Sequence, residues 1–311
     1  MQKILVTGAF GQIGSELVPA LQQKFGSENV IAIGNKNVPS DFNGVVETAR
    51  LPDFNRMKEL IEKYDVGTVY HLVSLLSATG EVDPSFTWDL NMQSLKDFLN
   101  LAVEKKFKLF WPSSIAAFGP TTPRENTPQR TVLEPTTMYG VTKVAGELLC
   151  QYYFKKFGVD VRSVRYPGII SWKAEPGGGT TDYAVAIYYE AIKKGAYECF
   201  VGPETVLPMM YMDDAVKATI DLMDADPAKL TVRTSYNIAA ISFSAKELAE
   251  DVNRLVKVDV TYKPDHRQAI ADSWPMSIDD SQARKDWGCS HSYDLPKMSE
   301  VMVEKLREKL R

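Results

Sequence analysis

No run of apolar residues in this sequence approaches the ~18 that a membrane span needs. The first apolar run, Ile4-Leu5-Val6, stops at Thr7-Gly8. No secretory leader is therefore expected, and the chain reads as cytosolic. Cysteine is scarce: Cys150, Cys199 and Cys289 lie far apart with no CxxC spacing, so neither a zinc site nor a disulfide framework is expected. The three histidines, His71, His266 and His291, lack ligand spacing and read as surface or satisfied core residues. No block of one charge sign occurs. The 36 basic and 40 acidic residues are interspersed, with a net charge of -4. That excludes the basic face that nucleic acid demands and a charged disordered tail.

What is present is an alternation. The 311 residues allow one large α/β unit with a smaller lobe. Short, mainly apolar runs predict strands at Lys3-Ile4-Leu5-Val6, Val30-Ile31-Ala32-Ile33, Val45-Val46, Thr68-Val69-Tyr70-His71-Leu72, Leu109-Phe110-Trp111 and Val161-Arg162-Ser163-Val164. Between them, 3.6-residue periodicity predicts helices over 12–25, 53–64 (capped by Asp53), 85–105 and 138–157. Strands that are apolar throughout, joined by crossover helices, form a parallel sheet covered on both faces, which binds ligand at its carboxyl ends. The second half is more mixed: a helix over 182–194, a late strand at 235–238, and a capping box of Ser244 with Glu247. We expect residues 1–170, with a return around 205–240, to form the nucleotide-binding unit. Residues 171–204 and 241–311 are expected to form a smaller lobe over its cleft.

The first strand runs into Thr7-Gly8-Ala9-Phe10-Gly11-Gln12-Ile13-Gly14, which opens a helix. Glycines there permit a tight turn, close approach of backbone to pyrophosphate and close helix–strand packing, and the helix N-terminus offers free N–H groups. The GxxGxxG spacing resembles the short-chain dehydrogenase/reductase superfamily. After the second strand, where an acid commonly meets the adenosine ribose, this chain has Gly34-Asn35-Lys36. Asn35 can bond a ribose hydroxyl and Lys36 can attract a 2′-phosphate; NAD is the expected cofactor.

The fifth strand ends in Pro112-Ser113-Ser114, and Tyr139-Gly140-Val141-Thr142-Lys143 follows about 25 residues later. Tyr and Lys four apart share a helical face. A lysine cation beside a phenol lowers its pKa and makes Tyr139 a general base. Ser114 is expected to hold the reacting oxygen, with Ser113 adjacent and touching substrate. Lys143 is expected to hold the nicotinamide ribose.

Several segments resemble the epimerase-like L-threonine 3-dehydrogenases, an extended short-chain dehydrogenase/reductase family. They are Pro112-Ser113-Ser114-Ile115-Ala116-Ala117-Phe118-Gly119-Pro120, Tyr166-Pro167-Gly168-Ile169-Ile170-Ser171, Pro176-Gly177-Gly178-Gly179-Thr180-Thr181-Asp182-Tyr183-Ala184, Leu207-Pro208-Met209-Met210-Tyr211-Met212 and Ser273-Trp274-Pro275-Met276-Ser277. The resemblance implies an α/β fold of the Rossmann type, a doubly wound parallel sheet with a smaller C-terminal substrate lobe. It implies oxidation of the threonine β-hydroxyl to 2-amino-3-ketobutyrate with hydride passed to NAD. It places the cofactor on Gly8, Phe10, Gly11, Gln12, Ile13, Asn35, Leu51, Leu72, Tyr139, Lys143 and Tyr166. It places substrate against Ser77, Ser113, Ser114, Tyr139, Gly178, Thr180 and Asp182, with Asp182 meeting the ammonium and the triple glycine closing as a mobile loop. Ser77 reads equally as a structural hydroxyl. Relatives can carry an acid near position 50, where this chain has Arg50. The alternatives are an NAD-dependent sugar-nucleotide epimerase or dehydratase of the same fold, and a non-enzymatic NAD-sensing module, which has no need of Ser, Tyr and Lys together. Surplus apolar residues on the helices over 85–105 and 138–157, among them Val141, Leu148, Leu149 and Tyr152, point to a homodimer through a four-helix bundle.

Overall fold

The computed structural model describes residues 2–34 and 38–311. Its strands are β1 (Lys3–Thr7), β2 (Val30–Gly34), β3 (Val45–Thr48), β4 (Val66–His71), β5 (Lys108–Phe110), β6 (Ser113–Ser114), β7 (Val161–Arg162), β8 (Val164–Tyr166), β9 (Gly168–Ile170), β10 (Ala196–Cys199), β11 (Val206–Tyr211), β12 (Tyr236–Asn237), β13 (Ile241–Ser244) and β14 (Asp259–Tyr262). The main sheet has the order β3-β2-β1-β4-β5-β7, and every pairing in it is parallel. The order reverses between β1 and β4, so the crevice for a dinucleotide opens at the carboxyl ends of those two strands.

Burial on both faces explains the unbroken apolar strands. Successive side chains point to opposite faces. Leu5, Ile31, Val69 and Leu109 meet the helices Phe54–Lys63 and Ser94–Lys105, while Ile4, Val6, Val30 and Ala32 meet Gly14–Phe25 and Met212–Asp224. Loss of a fully buried leucine side chain from such a core costs about 2–5 kcal/mol. A third core, built on Tyr183, Tyr188, Leu248, Val252, Met298 and Met302, lies among the helices Tyr183–Lys194, Ala245–Leu255 and Leu295–Lys309. The mixed sheet β13-β11-β9 joins this region to the rest.

Local signals are honoured where they were legible. Asp53 accepts from the Arg56 amide at 3.0 Å to start its helix. The Ser244–Glu247 capping box forms in both directions. The helix expected over 85–105 begins with Pro84–Trp88, passes through a π-turn at Asp89–Gln93 and continues as Ser94–Lys105. The three cysteines are free and buried. Among the described residues no helix is long and apolar enough to cross a membrane, and no group of three His, Cys, Asp or Glu side chains is placed to hold a metal.

Candidate active site

β1 delivers the glycine turn directly to the helix Gly14–Phe25. A Cβ on Gly14 would lie 2.2 Å from the Gly8 carbonyl oxygen, so only glycine allows the helix to start this close to the strand. Among the described residues, the amides of Phe10, Gln12 and Ile13 donate to no protein acceptor. Unused donors at a helix N-terminus suit a pyrophosphate. On one side of the turn a cavity of about 340 Å³ is lined by Gly8, Phe10, Gly11, Leu51, Gly34 and Arg50. This is where an adenosine half fits. A Cβ on Gly34 would lie 2.6 Å from the Phe10 ring, so the chain cannot carry the common acid at that place without moving Phe10. Asn35 and Lys36 lie outside the described residues.

On the other side, a cavity of about 130 Å³ gathers Gln12, Ile13, Leu72, Ser77, Ser113, Ser114, Tyr139, Lys143, Tyr166, Thr180 and Asp182. Residues from β6, β8, β9, the segments just after β4 and β5 and two helices thus converge from positions as distant in sequence as 12 and 182. Gly178, by contrast, is exposed and does not line it. Trp274 does, and only its place in a resembling segment pointed there.

Thr137 caps the helix Met138–Phe157 by accepting from the Gly140 amide at 3.1 Å. Tyr139 and Lys143 then fall on its buried face. Ser114 lines the same cavity as Tyr139, and its Oγ accepts from the Ala116 amide at 3.2 Å. Lys143 Nζ donates to the Pro112 carbonyl at 2.8 Å and stands 4.6 Å from the Trp111 ring and 5.1 Å from the Tyr139 ring. Burial pushes the Tyr139 phenol up to about 12, with the nearby Ser114 hydroxyl opposing. This reverses the expectation that Lys143 brings it down. The reason is that burial also drives Lys143 down to about 7, with Glu147 opposing, so the ammonium that was to stabilise the phenolate is itself disfavoured.

Three further residues hold this geometry. Glu147 is fully buried, receives Arg165 in a fork (Nε to Oε1 2.8 Å, Nη2 to Oε2 2.6 Å) and accepts from Ser113 Oγ at 2.6 Å. Ser113 therefore spends its proton on Glu147, which leaves its hydroxyl oxygen alone to face the cavity. Asn91, inside the π-turn, accepts from the Leu75 amide at 2.9 Å and donates to Thr142 Oγ1 at 3.2 Å, tying the loop that bears Ser77 to the catalytic helix. A π-turn inside an α-helix is a frequent mark of a functional site. His71 is a satisfied core residue: its ring nitrogens meet Thr7 at 2.8 Å and Ser94 at 3.1 Å, and burial lowers its pKa to about 3.

At the substrate end, Thr180 is 1 % exposed and its hydroxyl has no protein partner among the described residues. An unsatisfied buried hydroxyl lining a cavity needs an explanation, and a polar ligand supplies one. Asp182 Oδ2 accepts from the amides of Gly177 (2.7 Å) and Gly179 (2.8 Å), so this carboxylate holds the triple glycine in place. Tyr166 meets Thr219 through its hydroxyl, which fixes its ring against the cofactor cleft.

Comparison with known proteins agrees with this arrangement. An uncharacterized epimerase/dehydratase of Staphylococcus saprophyticus is 50% identical, over 99% of this chain and 98% of its own. The structure of an L-threonine dehydrogenase from Clostridium difficile is similar with a TM-score of 0.97 and 50% identity, covering 99% of this chain and 98% of that one. A monomeric L-threonine 3-dehydrogenase of metagenomic origin, in its apo form, gives a TM-score of 0.96 and 49% identity over 99% and 100%. The model of the NAD dependent epimerase/dehydratase family matches residues 4–239, which takes in the glycine turn, the serines, Tyr139, Lys143 and the substrate end. With NAD as its cofactor and the extended Rossmann architecture, the chain belongs to the NAD-dependent epimerase/dehydratase family.

Proposed function

We propose that this protein oxidises the β-hydroxyl of L-threonine to 2-amino-3-ketobutyrate. The observation that carries the reading is the convergence, in one cavity of about 130 Å³, of Ser114, Tyr139 and Lys143 with the unsatisfied Thr180 hydroxyl and the Asp182 carboxylate. A space of that size suits an amino acid. NAD, when bound, supplies the hydride acceptor. Ser114 holds the substrate oxygen. Tyr139 Oη takes its proton as the C–H bond breaks, and Lys143, fixed by the Pro112 carbonyl, sits beside that phenol on the cofactor side. Asp182 faces the ammonium while its other oxygen keeps the glycine loop closed; Thr180 meets a carboxylate or hydroxyl oxygen. Residues 1–170 with 205–240 serve as the NAD-binding unit, and 171–204 with 241–311 as the substrate lobe.

Absorbance at 340 nm tests this directly. NADH should accumulate with L-threonine and NAD, and not with UDP-glucose. Asp182→Asn keeps an acceptor for the glycine amides but removes the charge, so it should raise the KM for threonine about 10- to 100-fold, as loss of a charged hydrogen bond does, and leave that for NAD unchanged. Equal effects on both constants would refute the ammonium role.

We also propose a homodimer. Val82, Phe86, Trp88, Val141, Leu148, Tyr152 and Phe157 are large apolar side chains left exposed on or beside the two long helices, with Leu148 58 % exposed. Exposed large apolar side chains on neighbouring helices suit an interface. Light scattering should give twice the chain mass. A value of one chain mass would place this protein with its monomeric relative instead.

A further inference from the structure

A third cavity, of about 370 Å³, lies away from the catalytic cleft, between the far end of the helix Met138–Phe157, the segment 129–131 and the segment 231–234. None of its lining residues belongs to the two cavities described above. Four cations line it, Arg130, Lys155, Arg165 and Arg233, and no carboxylate does. Two of these are already compensated. Arg165 is held by Glu147, and Arg233 reaches Asp160 at 3.3 Å. Arg130 and Lys155 are exposed at the mouth and form no ion pair among the described residues. Asp160 is also held by Arg162 in a fork, so the uncompensated charge is at least that of Arg130 and Lys155.

The floor is also short of acceptors. The Arg233 side chain is nine-tenths buried, its guanidinium lying 4.1 Å from the Phe154 ring. Nη1 donates to Asp160 and Nη2 to the Pro227 carbonyl at 2.7 Å, but Nε, fully buried, has no partner among the described residues. A guanidinium presents five donors, and one left this far from satisfied beside a cavity calls for an anionic acceptor. Hydroxyls and amides of Gln129, Gln151, Thr131 and Thr234 complete the wall.

We propose that this cavity binds a phosphate-type dianion, free or as a phosphomonoester. Arg130 and Lys155 supply the matching charge and charge-assisted donors, Arg233 adds positive potential from the floor, and the threonines the neutral contacts. Arg165 forms the partition between this site and the catalytic segment, because the same guanidinium holds Glu147, which in turn holds Ser113.

The test is a thermal-shift titration of the NAD-saturated protein with inorganic phosphate, with ionic strength held constant by NaCl. Saturating NAD closes the cofactor's own pyrophosphate position to the probe. A saturable rise in Tm of about 2–3 °C at ten times Kd is expected. It should vanish in Arg130→Gln/Lys155→Gln, a variant of two exposed residues whose fold and NADH production should be unaffected. A parallel titration with glycerol 3-phosphate distinguishes the sources: a tighter midpoint assigns the site to phosphomonoesters, an equal one to phosphate itself. No saturable rise, or the same rise in the double variant, overturns the proposal.

Discussion

Tyr139→Phe should lower kcat for threonine oxidation by about 1,000-fold, within the range that a positioned general base contributes, while the Kd for NAD stays within about threefold. Removing one hydroxyl from a buried ring leaves the packing of the helix Met138–Phe157 intact, so the loss is chemical. The pH profile gives a second readout. A base acts only after it has lost its proton, and burial holds the proton on Tyr139, pushing it up to about 12. Activity of the wild type should therefore climb as pH rises above neutrality, and the residual activity of the variant should lack that climb. Stopped-flow and steady-state absorbance at 340 nm measure both. A variant that keeps a tenth or more of the rate would remove Tyr139 from the role of base.

Glu147→Gln should destabilise the protein by about 3–5 kcal/mol, the usual consequence of leaving one member of a buried ion pair without its partner. In this chain that corresponds to a fall in Tm of roughly 6–10 °C. Glu147 and Arg165 are each almost wholly buried, and the carboxylate is closed on both oxygens by the guanidinium and on one by Ser113. The double variant Glu147→Gln/Arg165→Met removes both charges while Gln still accepts from Ser113. It should recover at least half of the loss in urea unfolding. If the single variant costs less than about 1 kcal/mol, the pair is not holding the catalytic segment.

The strength of these two expectations differs in origin. Tyr139, Lys143 and Ser114 were legible in the sequence because their chemistry fixes their spacing: a helical turn between base and cation, and a serine at a strand end. The parallel sheet was legible because burial on both faces leaves an apolar run such as Val30-Ile31-Ala32-Ile33 with no polar alternation. Glu147 and Arg165 are 18 residues apart and carry no pattern that distinguishes a buried ion pair from two solvated charges. The direction of the Tyr139 pKa was misread for a related reason: sequence shows the neighbouring cation but not the dryness that weakens it. The π-turn at Asp89–Gln93 left the hydrophobic periodicity of its helix unbroken, and so hid Asn91. Between residues 256 and 288 the elements are short or edge-like. β14 alternates between exposed and half-buried, and the helices His266–Asp272 and Ser281–Trp287 are too brief for periodicity to separate them from loop.

The mixed sheet β13-β11-β9 bears on how such a protein can diversify. β9 ends the first long segment, β11 belongs to the return toward the nucleotide-binding face, and β13 leads into the helix Ala245–Leu255. Excising the substrate-side residues would strip hydrogen-bonding partners from strands on both sides of the cut and leave raw sheet edges, which invite aggregation. The substrate side is therefore not a cassette that can be transplanted between relatives. New specificities on this scaffold have to arise by point changes and loop replacements around the cavity, with the woven strands kept whole.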